Sequence, residues 1–369
     1  MMSVLKKLAA GALAALTLVS FTACGADTSI AMTVGGTSVR AGVYIQQLLA
    51  SAYEASSKIS EQTTDTENTE ETDLWKQSID GVSTSEWIKT NAEKLTRSFV
   101  AVEHKCAELG VELDSTAKKI IETNVSQTWE QNGTYYEELG VSKQSYEDVL
   151  TNSKKTSLLF EKYYGEGGIE AVSDTDLKAY FEDNYMRVKY IAMPVKDGEG
   201  NLLKSDGKKE LRKLADEYAS RASAENADFD ALLDKYTEYR AKQVADATGS
   251  SSSSSSSTSS AADEEKDPYA NESLVQKDST YPTKNFVEKL FAGAKENTPL
   301  VIEDDEYYYV ALRLPLSERT ELFEDKRATI LSALKSEEFT AMIESWGAAL
   351  TVEKNEDAIK RYDPEKLLK

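Results

Sequence analysis

"VSDTDLKAYFEDNYMRVKYIAMPVKDGEG", residues 172–200, is where the chain changes character. Ser173 stands ahead of Leu177, Tyr180 and Phe181 at helical spacing, so it reads as the cap of a short helix, its hydroxyl taking a backbone N–H that the first turn leaves unbonded. "RVKYIAMPV" (187–195) then drops the helical period for β-branched and aromatic residues, the composition of a strand. Downstream, "ELRKLADEYASRASAENADFDALLDKYTE" (210–238) supplies two helices. "TKNFVEKLFAGAKENTPLVIEDDEYYYVALRL" (283–314) supplies a helix ending near Gly293, a strand at 300–303, an acidic turn and a strand from Tyr307 to Leu314. The order strand, helix, helix, loop, helix, strand, strand describes a small α+β unit, expected to have its sheet covered on one side.

Upstream of residue 172 helices dominate. "IAMTVGGTSVRAGVYIQQLLASAY" (30–53) reads as a strand, a Gly-Gly turn, then a helix from about Ala41. Ser83 with Glu86 three residues on forms a capping-box pattern, after which Ile88, Ala92, Leu95, Phe99, Val102, Cys106 and Leu109 recur on one helical face. Ile120, Ile121, Val125 and Trp129 mark a second helix. Ser142 opens a third, with Tyr146, Val149, Leu150, Leu159 and Tyr163 before the stop "GEGG" at 165–168. At the other end, "ERTELFEDKRATILSALKSEEFTAMIESWGAAL" (318–350) is one long helix with Phe323, Ile330, Leu334 and Phe339 on a face. It is too long to be covered by its sequence neighbours alone and is expected to return onto the N-terminal helices.

Two stretches have nothing to bury. "SEQTTDTENTEETD" (60–73) is polar and without period, and "VADATGSSSSSSSSTSSAADEEKD" (244–267) is a serine tract closed by acids. They read as an insert over about 60–80 and a loop over about 244–272, neither carrying chemistry.

The first residues are a targeting segment. Lys6 and Lys7 precede the uncharged run "LAAGALAALTLVSF" (8–21), too short for a stable membrane anchor, and small residues follow, the layout of a signal peptide over residues 1–23. Phe21-Thr22-Ala23-Cys24 resembles the lipobox at which bacterial lipoproteins are cut and their cysteine acylated, although Phe21 stands where leucine is usual. Cys24 is thus the expected lipidation site, and it leaves Cys106 without a disulfide partner; lying on the apolar stripe, Cys106 reads as a core side chain.

Composition agrees with a globular body: 40% of the 369 residues are hydrophobic and 9% aromatic. The net charge of −21 excludes nucleic-acid binding, whose affinity comes from Lys and Arg against phosphate, and keeps a tethered protein soluble. No metal site, nucleophilic triad, ATP-binding loop or dinucleotide motif has residues at usable spacing, so no cofactor is expected.

Taken together, the strand-turn-helix start after an acylated cysteine, the three helices, "VSDTDLKAYFEDN" and the closing "LTVEKNEDAIKRYDPEKL" (350–367) resemble the extracytoplasmic foldases of the PrsA and SurA type. The resemblance implies a mostly helical α+β protein: a helical chaperone domain made from both chain ends (24–172, completed by 317–369) around an inserted parvulin-like peptidyl-prolyl isomerase domain (173–316). It also implies where an isomerase site would lie. Parvulins carry histidines on the first and last strands, side by side over an apolar proline pocket. Tyr190 falls at the first of these positions and Tyr308, give or take one residue, at the second, while Phe286 matches a pocket phenylalanine. The only histidine, His104, lies in the N-terminal helical region, off the apolar stripe, and reads as solvated.

Bond rotation at X-Pro faces a barrier of roughly 18–20 kcal/mol, lowered by holding a twisted amide in an apolar pocket; no covalent step is involved. With both histidines replaced and the glycine-rich pocket wall missing, isomerisation is expected to be weak or absent. Tyrosine hydroxyls can still hydrogen-bond, so an active isomerase stays open as an alternative, as does a solute-binding lipoprotein. The expected function is that of a membrane-anchored extracytoplasmic chaperone, its partners unfolded or nascent secreted polypeptides gripped by apolar surface and by aromatics among Trp75, Trp87, Trp129, Tyr135 and Tyr136.

Overall fold

Gly35 and Gly36 take φ of +55° and +82°, a region open to residues without a Cβ, and so turn β1 (Ile30–Val34) back onto β2 (Thr37–Arg40). The computed structural model describes residues 27–63, 73–249 and 269–367, over which the chain is α+β and mostly helical. The expected signal segment and lipidation site Cys24 lie outside the described residues. After α1 (Ala41–Thr63) comes a short hairpin of β3 (Ser78–Ile79) and β4 (Val82–Ser83), followed by α2 (Thr84–Leu109), α3 (Ser115–Glu138) and α4 (Lys143–Tyr164). The expected serine caps are in place: Ser83 Oγ accepts the N–H of Glu86 at 3.3 Å and Ser142 Oγ that of Ser145 at 3.1 Å.

Next are α5 (Asp174–Asn184), β5 (Tyr185–Pro194), α6 (Ser205–Ala222), α7 (Phe229–Thr248), β6 (Ser273–Gln276), α8 (Lys284–Gly293), β7 (Pro299–Glu303) and β8 (Tyr307–Leu314). The chain closes with α9 (Glu321–Ala348), β9 (Val352–Lys354), α10 (Glu356–Ile359) and α11 (Pro364–Leu367). It divides into two compact units, one holding the chain up to Ala171 and from Leu334 on, the other Val172–Ala333. The division falls inside α9 rather than ahead of it.

In the first unit the two ends of the chain share a sheet. β1 lies between β2 and β9, with Met32 opposite Lys354 and Val34 opposite Val352, all antiparallel. Met32, Ile45, Leu48, Ile79, Ile88 and Val100 fill the core beneath. The second half of α9 packs on the N-terminal helices: Phe339 meets Phe160 edge-on at 5.3 Å and Trp346 meets Tyr163 at 5.7 Å. Gly347 is needed for this contact, because a Cβ there would come within 3.0 Å of the α2 backbone at Arg97. Leu334, placed on the buried face by its spacing, is instead 37% exposed, and Leu331 and Ile343 are buried.

The second unit is built on the antiparallel sheet β6-β5-β8-β7. Both of its faces are covered, contrary to the single covered face expected. Met186, Val188, Phe286, Leu290 and Tyr309 pack with α8 on one side, and Ile191, Met193, Ala215, Tyr218, Leu232 and Val310 pack with α6 and α7 on the other. The polar surface of α6 hid its buried residues, Ala215 and Tyr218, from a reading of period. Two loop expectations are also corrected. α1 runs on through the first residues of the expected insert, and residues 74–83 form a single 3-10 turn and the β3–β4 hairpin. α7 continues to Thr248, and the far end of the expected loop is ordered through Glu272 into β6; residues 64–72 and 250–268 lie outside the described residues. Strand pairing in both larger sheets is antiparallel, which sets aside the repeated parallel βα units of a solute-binding lipoprotein.

The chain ends are held together by charge as well as by the sheet. Asp27 accepts a hydrogen bond from the Tyr362 hydroxyl and pairs with Arg361 at 3.0 Å. Burial pushes its carboxyl up, but the bonds from Tyr362 and Ser29 and the Arg361 charge outweigh this and hold it below its ordinary value. A depressed carboxylate contributes stability that is present above the unfolded pKa of about 3.9 and is lost as pH falls through the folded one. Asp27→Asn is therefore expected to lower the urea midpoint at pH 7, and the gap between it and the parent chain should shrink as the pH falls below 4.

Candidate functional site

The register of β5 against β8 decides what surrounds the position expected to stand for a parvulin histidine. Tyr190 lies opposite Ala311, and Met193 opposite Tyr308. Alternate side chains of a strand point to opposite faces, so Tyr190 shares its face with Tyr309, while Tyr308 points to the α6 and α7 side and donates its hydroxyl to Glu303 Oε1 at 3.0 Å. Tyr190 and Tyr308 are thus not brought together; Tyr309, one residue along, takes the neighbouring place. Three consecutive tyrosines at 307–309 leave the facing residue undetermined until the register is known.

Tyr190, Tyr309 and Phe286 form one aromatic cluster. Phe286 lies 4.6 Å from Tyr309 and 5.2 Å from Tyr190, centroid to centroid, and the two tyrosine rings are 5.9 Å apart. Phe286 is placed by α8, whose cap Thr283 accepts the Phe286 N–H at 3.1 Å and donates its own hydroxyl to Asp304 Oδ2 at 2.5 Å. Phe286 and Tyr309 are sealed from solvent, and Tyr190 is half-buried. The expected floor of a proline pocket is filled by these rings and belongs to the core between the sheet and α8.

The hydroxyls on this face are not bases at neutral pH. Burial raises the pKa of Tyr190, helped by Tyr281, with whose side chain it shares a hydrogen bond. Burial likewise pushes Tyr309 up to about 12, against a hydrogen bond with Thr283. Both stay protonated and act as hydrogen-bond donors.

Other candidate residues lie in the first unit. The His104 ring is partnered rather than solvated: Nε2 lies 2.8 Å from Thr37 Oγ1, and the ring packs against the Gly35 turn. Cys106 is buried as its stripe indicates, and burial and the Glu103 carboxylate raise its thiol pKa, so it is not nucleophilic at neutral pH. Among the described residues no cluster of His, Cys, Asp or Glu could hold a metal ion, and no helix is long and apolar enough to cross a membrane.

The open apolar surface of this unit lies along α3 and α4. Of α3, only Ile121, Val125 and Gly133 are buried, while Ile120 is 55% and Tyr135 56% exposed. A groove of about 610 Å³ runs between α2, α3 and α4 past Val111, Leu113 and Ile121, with Glu103, Glu112, Lys118 and Glu122 also in its lining, and one of about 530 Å³ crosses from Ile120 to Leu150 and Leu158 between Asp114 and Lys154. Further along α3, Trp129 stacks on Tyr136 at 5.8 Å and Tyr146 closes the cluster. Trp75 and Trp87 are half-buried against the core under the chain ends and do not belong to this surface. Ile120 reads as core in the sequence but is exposed, whereas Leu150 does pack on the cluster of Leu113, Ile121 and Val125; the signal that α3 is open is its sparse stripe, too narrow to cover a helix of 24 residues.

No family model and no curated protein matches the chain. Among solved structures it is similar to the foldase PrsA of Streptococcus pneumoniae (16% identity over 78% of this chain and 98% of that one, TM-score 0.27). It is similar too to the foldase PrsA of Lactococcus lactis (11% identity, 90% and 99%, TM-score 0.35) and to PrsA of Bacillus subtilis (12% identity, 78% and 88%, TM-score 0.23). The site is therefore read from its own residues.

If the aromatic cluster is core, Phe286→Ala will destabilise the chain by about 3–5 kcal/mol, whereas Tyr190→Phe, which removes one hydroxyl, will shift it by no more than about 1.5 kcal/mol. Urea denaturation of the two variants checks both values.

Proposed function

We propose that the protein is an extracytoplasmic foldase that holds unfolded segments of secreted polypeptides, tethered to the cell membrane by a lipid on Cys24. The observation that carries this reading is the α3–α4 surface: a long helix that leaves Ile120 to solvent, and Tyr135 further along, with two grooves whose apolar floor of Leu113, Ile121, Leu150 and Leu158 is rimmed by charged side chains such as Glu112, Lys118 and Glu122. Exposed apolar surface of this kind marks a binding site in a soluble protein. Each 100 Å² of apolar client surface covered there contributes about 2.5 kcal/mol, enough for reversible holding and in need of no ATP. The excess of acidic side chains keeps the apolar arm soluble and gives phosphate backbones nothing to bind.

The parvulin-like sheet contributes little isomerase activity in this reading. A catalyst of X-Pro rotation must offer the twisted amide a vacant apolar pocket, and the face that carries Tyr190 is filled by Phe286 and Tyr309.

The full chain is expected to slow the aggregation of a reduced, unfolded client several-fold without ATP, as followed by light scattering. Ile120→Asp with Tyr135→Ser should remove most of that effect while changing stability by less than about 0.5 kcal/mol, since both side chains are exposed; no slowing by the parent chain at several-fold excess would refute the reading. In a protease-coupled proline-peptide assay the chain is expected to give the uncatalysed rate, and a rate well above it that Tyr190→Ala abolishes would restore the isomerase alternative.

A further inference from the structure

β6 pairs with β5 only over Tyr185–Val188, although β5 continues to Pro194. The direction of the remaining backbone groups follows from the ladder on the other side. Val195 donates its N–H to Glu306 O at 2.7 Å, in register with the β5–β8 pairs. By antiparallel alternation the odd-numbered residues of β5 exchange hydrogen bonds with β8, and the even-numbered ones turn their N–H and C=O the other way. β6 lies beside those of Met186 and Val188. Those of Tyr190 and Ala192 face outward, and among the described residues no hydrogen bond reaches them. Pro194, without an N–H, ends the edge.

This edge borders a groove rather than open solvent. α7 runs alongside, and between them lies a space of about 840 Å³ lined by Tyr190, Ala192 and Pro194 from the strand and by Ala241, Val244 and Ala245 from the helix. Val244 is 39% exposed, and the alanines at i and i+4 keep the helix surface low. The one ionised side chain in the lining, Arg240, is already bonded to Asp197 O at 2.6 Å and to Gln243 Oε1 at 3.1 Å. The groove is mostly apolar, carries the single positive charge of Arg240, and is bounded by main-chain donors and acceptors that no described residue pairs.

We propose that an extended, uncharged, apolar segment of an unfolded polypeptide adds as a strand to the free edge of β5 in this groove. Tyr190 and Ala192 present their groups at the two-residue repeat of a strand, about 6.6–6.8 Å, a spacing that the backbone of another extended chain matches; alternate side chains of the guest then lie against Ala241, Val244 and Ala245. A guest cation would lose its hydration here and meet only the like charge of Arg240, and a carboxylate would have to compete for a guanidinium already bonded to Asp197 O and Gln243 Oε1, which favours neutral segments. The proposal rests on the foldase reading for the source of such segments, but the edge is separate from the α3–α4 surface and does not depend on it.

The test uses the full chain and a fluorescent eight-residue peptide of alternating Val and Thr. Binding is read by anisotropy, and hydrogen exchange is read at the Tyr190 and Ala192 amides. The peptide is expected to slow exchange of both amides at least tenfold. N-methylating the alternate peptide amides of one edge should weaken binding at least tenfold, and methylating the other edge should change it less than twofold. Ala192→Pro, which removes an N–H outside the β8 ladder, should abolish binding; the methylated peptides give the same answer if that variant does not fold. Equal binding of the two methylated peptides overturns the proposal. So does protection of the two amides before peptide is added, which would mean that the chain's own residues fill the edge, or protection that rises with protein concentration alone, which would mean a second copy. Aggregation measured in parallel separates the two readings: a chain that protects the amides yet does not slow aggregation keeps the edge site and loses the foldase reading, and the reverse result keeps the latter alone.

Discussion

The pairing of β1 with β9 is the constraint on which the first unit rests. Three residues of each strand are in register, Asn355 donates its backbone N–H to Ala31 O at 2.9 Å, and Tyr362 and Arg361 reach back to Asp27. Hydrogen bonds this few do not close so distant a pair by themselves; joining ends some 300 residues apart costs about 5 kcal/mol in chain entropy. The apolar side chains that flank the strand make the difference, since Leu350, Val352, Ile359 and Tyr362 pack in the same core as Met32 and Ile45. Because Val172–Ala333 is a compact unit, its two ends lie closer together than those of a free chain of that length, which lowers the entropic cost once it is folded.

The second unit has its own anchor. Arg187, 5% exposed, binds Glu272 through Nε at 2.6 Å and Nη2 at 2.7 Å, and its Nη1 reaches Glu318 at 2.8 Å and Pro315 O at 2.9 Å. Arg319 lies 3.7 Å from the Tyr269 ring beside it. A buried bidentate pair gives geometry more than net stability. Here it ties the residues ahead of β6 and the turn after β8 to the start of β5. With those segments fixed, β6 stops beside Val188, and the remainder of the β5 edge is left to α7. The same strand thus has one face closed by Phe286 and Tyr309 and one edge left partly unpaired, so its capacity for contact is at the edge.

Much of this architecture was legible in the residues. Ser83, Ser142 and Ser173 cap the helices they precede, the Gly-Gly turn and the 307–314 strand are where composition puts them, and the long last helix does pack on the N-terminal ones. What escaped did so for physical reasons. β6 is four residues with Val275 as its only buried side chain, and β3, β4 and β9 are shorter still, below the length at which a period of two can be recognised. The choice between Tyr308 and Tyr309 is a matter of register, which arises from pairing and not from local composition. His104 reads as solvent-facing because its partner, Thr37, is remote in sequence. The openness of α3 is a property of what fails to cover it, and no local signal reports a missing neighbour.

Pro194 has a meaning beyond the end of a strand. A sheet edge that can accept a foreign strand can in principle also seed a growing stack of them, each added chain presenting a fresh edge to the next. With only Tyr190 and Ala192 left unpaired by the described residues between Val188 and a residue that has no N–H to offer, the edge is too short to act as a template for fibril growth. A surface built this way can take hold of a sticky chain and let it go without itself becoming the nucleus of a cross-β deposit.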